Sequence, residues 1–183
     1  MNRLKDISPS DILDIAFNTE ERAYLEKLAE SSRLRDCKLC IRYLEASLRI
    51  QRNRKFVLTI ADRLVLNNKV RHEALGIFQQ FLDKYPEKIW PFVLKYGSHA
   101  SRHVRESLAT MVLEELMARY HDRYFPEVKR IVLSGDGRFL DILVRCWPFG
   151  QPLKKWHQTV RLIKRAGGDM SRIYVSKKYP LPV

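Results

Sequence analysis

The stretch LDILVRCW carries the side chains whose types and spacing come nearest to a catalytic set. Asp141 and Arg145 are four residues apart, so on a helix they share one face, and Trp147 follows two positions later. A carboxylate and a guanidinium at this spacing also form the ordinary intrahelical ion pair, which contributes about a few tenths of a kcal/mol. Trp147 continues the apolar stripe of Leu143, so we expect it in the core rather than facing a substrate.

Other patterns that carry chemistry are missing from the sequence. It has no glycine-rich nucleotide loop, no H-E-x-x-H and no G-x-S-x-G. His99 and His103 are spaced like two metal ligands on one helix face, but Ser101 between them favours a helix start, and no carboxylate completes a ligand set. We therefore expect surface or capping histidines, and the sequence predicts no metal site and no cofactor.

Cysteine usage and hydropathy both favour a protein of the reducing cytoplasm. Cys37, Cys40 and Cys146 are an odd number without framework spacing, so we expect reduced thiols packed in the interior. The longest uncharged runs, such as SLATMVL, are far shorter than the roughly 18–20 residues that cross a bilayer. A length of 183 residues suits one domain. We expect residues 1–183 to form a single cytoplasmic domain that does not bind membranes.

Net charge is the strongest global signal in the sequence. Lys and Arg outnumber Asp and Glu by 34 to 21, which gives a net charge of +13. Residues 1–34 have five basic and seven acidic side chains, a net of −2, whereas residues 145–183 have nine basic and one acidic, a net of +8. Such asymmetry indicates an anionic partner, either nucleic acid or an acidic protein surface, although solvated helix faces would also be basic.

Two similar segments recur along the chain. KVRHEALGIFQQF and SRHVRESLATMVLEEL each begin with a Val-Arg pair, and Val70 and Val104 are thirty-four residues apart. Apolar residues follow at the three- or four-residue steps of an amphipathic helix. The predicted core positions are Val70, Ala74, Phe78, Phe81 and Leu82 in the first segment and Val104, Leu108, Val112 and Leu116 in the second.

Each of these segments is followed by a second helix containing an aromatic-proline pair. Pro91 in KIWPFVLKYG and Pro126 in RYFPEVKRIVLSG are thirty-five residues apart, close to the offset of the first helices. Proline is tolerated in the first helical turn, so we expect both prolines there. Glycines 97 and 135 are expected to end these second helices.

The same unit extends in both directions. RDCKLCIRYLEASLRIQ with NRKFVLTIADRLVLNN, and DGRFLDILVRCWPFG with PLKKWHQTVRLIKRAGG, give two further helix pairs. A period of about 31–35 residues predicts stacked helical repeats over residues 33–167. Residues 1–32 are then an acidic N-terminal helical cap, and residues 168–183 a basic tail that is either a flexible binding segment or an extended strap.

This arrangement resembles the HEAT repeats of the armadillo-type superhelix. In that family a capping residue stands three positions before the Val-Arg pair. The matching positions here are Asp36, Asn67, Ser101 and Asp136, although only Asn67 and Ser101 precede a Val-Arg pair, and the other two precede Leu39-Cys40 and Phe139-Leu140. The resemblance implies an all-α, HEAT-like α-α superhelix in which Arg71 and Arg105 pair between adjacent repeats. A plain helical bundle is the competing interpretation, but it does not explain the recurring proline and glycine positions.

In the HEAT family the second helices line a concave surface, and here they are basic. The final helix is the strongest case, with Leu153, Trp156, Val160 and Ile163 expected on its apolar side. The candidate binding residues are Lys55, Arg63, Lys88, Lys95, Lys129, Arg130, Lys154, Lys155, Arg161, Lys164 and Arg165. A basic track across repeats would follow a phosphate backbone with salt-sensitive affinity.

The sequence thus favours a non-enzymatic binding module. Nucleic acid is the first-ranked partner, and the alternative is an adaptor or inhibitor, similar to an antitoxin, that binds an acidic protein through fast electrostatic association. A third hypothesis comes from resemblance, because some small basic HEAT-like proteins are alkylpurine DNA glycosylases. In that case Asp141, Arg145 and Trp147 would be the catalytic and lesion-contacting residues.

Overall fold

The structure is a computed structural model, and it describes residues 2–5, 7–9, 16–148 and 150–182. These residues are helical with irregular connections and contain no β-strand. The helices are α1 (Thr19–Ala29), α2 (Leu34–Ala46), α3 (Arg54–Val65), α4 (Arg71–Leu82), α5 (Pro86–Gly97), α6 (Arg102–Leu108), α7 (Glu114–Leu133), α8 (Gly137–Arg145) and α9 (Leu153–Arg165). A π-helical turn, Ala109–Leu113, joins α6 to α7, and short 3-10 turns lie at Arg3–Lys5, Gln51–Asn53 and Met170–Arg172. The predicted all-α class is confirmed for these ranges.

The chain divides into two compact units, Met1–Gln80 and Phe81–Val183. In the first unit, α1 packs against α2 and α3. Asn18 starts α1 with a reciprocal capping box, in which it accepts from the Glu21 N–H and the Glu21 carboxylate accepts in return. The helical cap predicted over residues 1–32 therefore contains one α-helix, α1, while residues 1, 6 and 10–15 of that range lie outside the described residues.

In the second unit, α8 packs against α5, α6, α7 and α9. Phe139 and Trp156 are fully buried between these helices. Gly97 is the last residue of α5, and a Cβ placed on it would lie 2.6 Å from the Phe139 ring. The prediction that Gly97 ends this helix is confirmed, but its reason is the close approach of Phe139 rather than a left-handed backbone.

The apolar positions predicted for the two Val-Arg segments are confirmed. All nine predicted core residues are at most 4% exposed: Val70, Ala74, Phe78, Phe81, Leu82, Val104, Leu108, Val112 and Leu116. In α9, Trp156, Val160 and Ile163 are buried as predicted, whereas Leu153 is 41% exposed because it is the first residue of the helix.

The prediction for the two prolines is wrong. Pro91 lies inside α5, which begins at Pro86, and Pro126 lies inside α7. Tyr85 precedes α5 with φ −141° and ψ 51°, and Tyr120 interrupts α7 with φ −125° and ψ 30°. Each proline is therefore the sixth residue after a tyrosine with non-helical backbone angles. The two segments thus still match each other, although both prolines lie deeper in their helices than predicted.

The four predicted helix caps have different outcomes. Asp136 caps α8, because its carboxylate accepts from the Arg138 and Phe139 N–H groups. Ser101 occupies the position before α6 without a side-chain capping bond, and Asn67 accepts from the Lys69 N–H ahead of α4. Asp36 lies inside the first turn of α2, so its prediction as a cap was wrong.

Each arginine of the two Val-Arg pairs donates to a backbone carbonyl six residues earlier, and Arg105 also contacts a distant helix. Arg71 Nε donates to the Val65 carbonyl at the end of α3, at 2.9 Å. Arg105 donates to the His99 carbonyl at 2.8 Å and lies 3.2 Å from the Asp141 carboxylate of α8, thirty-six residues away. In the second unit, the Arg105 side chain thus ties α6 to α8.

The Arg105→Ala variant is expected to lower the free energy of unfolding by about 1–2 kcal/mol, because the half-buried Asp141 loses one of its donors. Arg102→Ala is the matched control, since its ion pair with Glu106 is mostly exposed and should change stability by less than about 0.5 kcal/mol. Denaturant titration of both variants measures the difference, and equal losses would contradict the assigned role of Arg105.

The segment after α9 is held against the second unit as a strap. Ile173 and Tyr179 are buried, the Tyr179 hydroxyl donates to the Gln151 carbonyl, and His157 Nε2 lies 3.0 Å from the Pro180 carbonyl. Of the two alternatives for the tail, the extended strap is therefore the one observed for residues 168–182.

Candidate anion-binding site

Two helices of the second unit place basic side chains around one shallow groove. Gln158, Arg161, Leu162 and Arg165 of α9 follow the i, i+3, i+4, i+7 spacing of a single helix face. Phe125 and Lys129 of α7 are four residues apart and complete the lining of a cavity of about 280 Å³. We call this set of six residues the basic groove.

The three cations of the basic groove, Lys129, Arg161 and Arg165, are exposed. No carboxylate within the described ranges lies at ion-pair distance from any of them. Uncompensated positive charge next to an apolar wall is the arrangement that attracts phosphate oxygens, and the two guanidiniums can bind them in a bidentate manner.

The apolar wall of the groove is supported from inside. Leu162 is buried, and the half-buried Phe125 ring stacks on His121 at a centroid distance of 4.4 Å. His121 is only 1% exposed, and burial lowers the pKa of its imidazole. The imidazole therefore stays neutral at physiological pH and acts as part of the floor beneath Phe125.

Other cations of the predicted basic track are already paired. Arg63 lies within 3.7 Å of Glu26 and Glu30, Arg130 lies 3.7 Å from Glu127, and Lys155 lies 2.6 Å from Asp122. Lys88 and Lys95 lie over the rings of the neighbouring Tyr85 and Tyr96. The exposed side chains of Lys55, Lys154 and Lys164 remain candidates, with Lys55 and Arg63 in the first unit and the others in the second.

A second charged cluster surrounds Asp141. Its carboxylate accepts from Arg105, Arg145 and Arg172 at 3.1–3.3 Å, and Arg145 also pairs with Glu106. Burial alone would raise the pKa of Asp141, but the hydrogen bonds from Arg145 and Arg105 outweigh it and hold the pKa below its ordinary value. Asp141 is thus ionised at neutral pH and links the three arginines.

The prediction that Trp147 belongs to the core is wrong. Helix α8 ends at Arg145, so the helical period does not extend to Trp147, whose side chain is 47% exposed. Its indole stacks on Tyr174 at 5.3 Å, and its backbone N–H donates to Glu114 at 2.8 Å. Arg145 and Trp147 line a second cavity of about 310 Å³, together with Glu106, Thr110 and Arg172.

Glu114 is the most strongly perturbed carboxyl of this cluster. Burial raises its pKa to about 7, although the Trp147 N–H acts in the opposite direction. Because the folded pKa lies above the unfolded value of about 4.3, the folded state binds more protons. The contribution of Glu114 to the free energy of unfolding therefore falls as pH rises from about 4.3 to 7.

The Glu114→Gln variant is expected to remove this loss of stability, because the amide oxygen can accept the same N–H without a charge. At pH 8 it should be more stable than the native chain by about 2 kcal/mol, and at pH 4 the difference should vanish. Glu115→Gln, which breaks an ion pair with Arg119, is the control and should keep the pH dependence. Denaturant titration between pH 4 and 8 measures the free energy of unfolding of the native chain and both variants. If the stability of Glu114→Gln falls with pH as steeply as that of the native chain, the raised pKa of Glu114 is contradicted.

The remaining titratable groups suggest little further chemistry. Among the described residues, no group of three or more His, Cys, Asp or Glu side chains is arranged to hold a metal ion. His99 Nδ1 accepts from the Ser101 N–H, and the side chain of His103 is 84% exposed, which agrees with capping and surface roles. All three cysteines are free and buried, as predicted, and burial raises the pKa of Cys40 to about 12.

The groove cations could be identified from the sequence, but their surroundings could not. Phe125, Gln158 and Leu162 were missed, although the i, i+3, i+4, i+7 face of α9 could have indicated the last two. Glu106, Thr110 and Arg172 were missed because they meet Trp147 only in the folded second unit.

Comparison with known proteins gives no relative. No protein-family model, no curated protein and no solved structure matches this chain. In the described ranges, no helix is both long and apolar enough to cross a membrane.

Proposed function

We propose that the chain is a HEAT-like helical-repeat protein that binds nucleic acid through the basic groove and performs no catalytic step. The observation that carries this proposal is the meeting of three exposed cations, none with a described carboxylate partner, beside Phe125 and Leu162. The recurrent tyrosine-to-proline spacing and the Arg105–Asp141 contact support the repeat architecture. A cytoplasmic site of action is part of the proposal, since buried free thiols suit a reducing compartment.

Binding by the groove would be largely independent of base sequence. Lysine and arginine bind phosphate oxygens and release condensed counterions, which supplies affinity but little sequence discrimination. Three such contacts predict about a 40-fold loss of affinity for duplex DNA between 50 and 200 mM salt, and six contacts predict about a thousandfold loss. The larger value would mean that Lys154, Lys164 or other cations of the predicted track also take part.

The direct test is a titration with short single- and double-stranded DNA and RNA at about 50 and 200 mM salt. We expect binding at the lower salt that weakens by about 40-fold or more at the higher salt. No binding to any of these at 50 mM would contradict the proposal and favour an acidic protein partner.

The glycosylase hypothesis receives mixed support. An exposed Trp147 beside Arg145 would suit contact with a base, but the carboxylate oxygens of Asp141 are held by three arginines. We therefore propose a structural role for Asp141. Release of methylated base from alkylated DNA by the native protein, abolished in Asp141→Asn, would favour the glycosylase hypothesis over a structural role for Asp141.

A further inference from the structure

The cavity beside Trp147 shares no lining residue with the basic groove. Its residues come from α6, the π-helical turn, the end of α8 and the turn after α9: Glu106, Thr110, Arg145, Trp147 and Arg172. We call this set the aromatic pocket. Its volume of about 310 Å³ is at the lower end of the range for small-molecule sites, which is about 300–1,000 Å³.

Trp147 is the exposed member of the three tryptophans. Trp90 is 8% exposed and Trp156 is fully buried, whereas Trp147 is 47% exposed. The indole is also held in place, because Tyr174 stacks on it with an interplanar angle of 27° and Glu114 accepts its backbone N–H. A large aromatic surface that is fixed before binding loses little conformational freedom when a planar ligand stacks on it.

The charges around the aromatic pocket favour a ligand that carries an anion. Arg102, Arg105, Arg145 and Arg172 form ion pairs with Glu106 and Asp141, and Arg172 also interacts with Asp169, so four guanidiniums meet three carboxylates. Glu114 removes only part of this excess, since burial raises its pKa to about 7. Arg172 is the cation best placed for a ligand, because its side chain is 37% exposed and one of its five donors is used by Asp141.

We propose that the aromatic pocket stacks one unpaired nucleobase on Trp147 and binds the adjoining phosphate through Arg172, so that the protein prefers single-stranded to duplex nucleic acid. This inference rests on the proposed function. A base inside a duplex is already paired and stacked, and extruding it costs free energy, whereas a base in a single strand is available. Stacking on an aromatic side chain is tolerant of base identity, which agrees with a groove that reads only phosphates.

The test uses the full chain and the fluorescence of Trp147. A twelve-nucleotide single strand and its duplex are titrated against the native protein, Trp147→Ala and Trp147→Phe in about 100 mM salt. We expect saturable quenching in the native protein and a single-strand affinity about tenfold or more above that for the duplex. Trp147→Ala should lose most of this preference while its duplex affinity, read by anisotropy of labelled DNA, stays within about threefold, and Trp147→Phe should keep the preference.

The outcomes separate this inference from the proposed function. If the native protein binds the single strand and the duplex, and Trp147→Ala leaves the ratio of the two affinities unchanged, the aromatic pocket has no role and only this inference is wrong. The same conclusion follows if Trp147→Ala lowers the affinities for the single strand and the duplex equally at unchanged thermal stability. If the native protein binds neither the single strand nor the duplex, the proposed function fails and this inference fails with it.

Discussion

The Val104→Asp variant is expected to lack a folded second unit at room temperature. Val104 is 2% exposed and lies in α6, which packs against α5 and α8. A carboxylate at this position is either ionised without a partner or held protonated by burial, and both states cost several kcal/mol. With the lost packing, the penalty of about 5 kcal/mol approaches the total stability of an average domain.

Near-UV circular dichroism and denaturant titration measure this loss. His103→Asp is the control, because it introduces the same carboxylate one residue earlier on a side chain that is 84% exposed. It should fold with a free energy of unfolding within about 0.5 kcal/mol of the native value. A cooperative transition in Val104→Asp like that of the control would mean that α6 does not pack as described.

The second large effect is expected from replacing all three groove cations. The Lys129→Gln, Arg161→Gln and Arg165→Gln triple variant should bind nucleic acid about 100- to 1,000-fold more weakly at 100 mM salt, because three counterion-releasing contacts are lost. Its stability should change little, since these side chains are exposed and lack described carboxylate partners.

A matched variant controls for overall charge. Arg63→Gln, Arg130→Gln and Lys155→Gln together remove the same three positive charges, but each of these residues already lies near a carboxylate. This control should lose less than about tenfold in affinity. Equal losses in the two triples would show that binding depends on net charge rather than on the basic groove.

Much of the helical architecture could be predicted because it depends on local patterns. The four-residue spacing of Val104, Leu108 and Val112 predicts a buried stripe, and all three are buried. Gly135 ends α7 with a φ of 93°, as a glycine after a helix commonly does. The boundaries were less predictable, since nothing local to Pro126 reveals that the break comes at Tyr120.

The candidate site was harder to predict because it depends on contacts between distant residues. A sequence shows that Lys155 and Lys129 are basic, but only the fold brings Asp122 to Lys155 and leaves Lys129 beside Phe125. Trp147 was misplaced for a related reason. The helical period places it in the core only if α8 continues, and α8 ends two residues earlier.

The salt dependence of binding tests the central claim most directly. The dissociation constant for a short DNA duplex is measured from about 50 to 300 mM salt for the native protein and both triple variants. We predict that the slope of log affinity against log salt is smaller by about 2.7 in the groove variant, which corresponds to three lost phosphate contacts. The matched control should keep a slope within about one of the native value. A groove variant with the native slope and affinity would contradict binding through Lys129, Arg161 and Arg165.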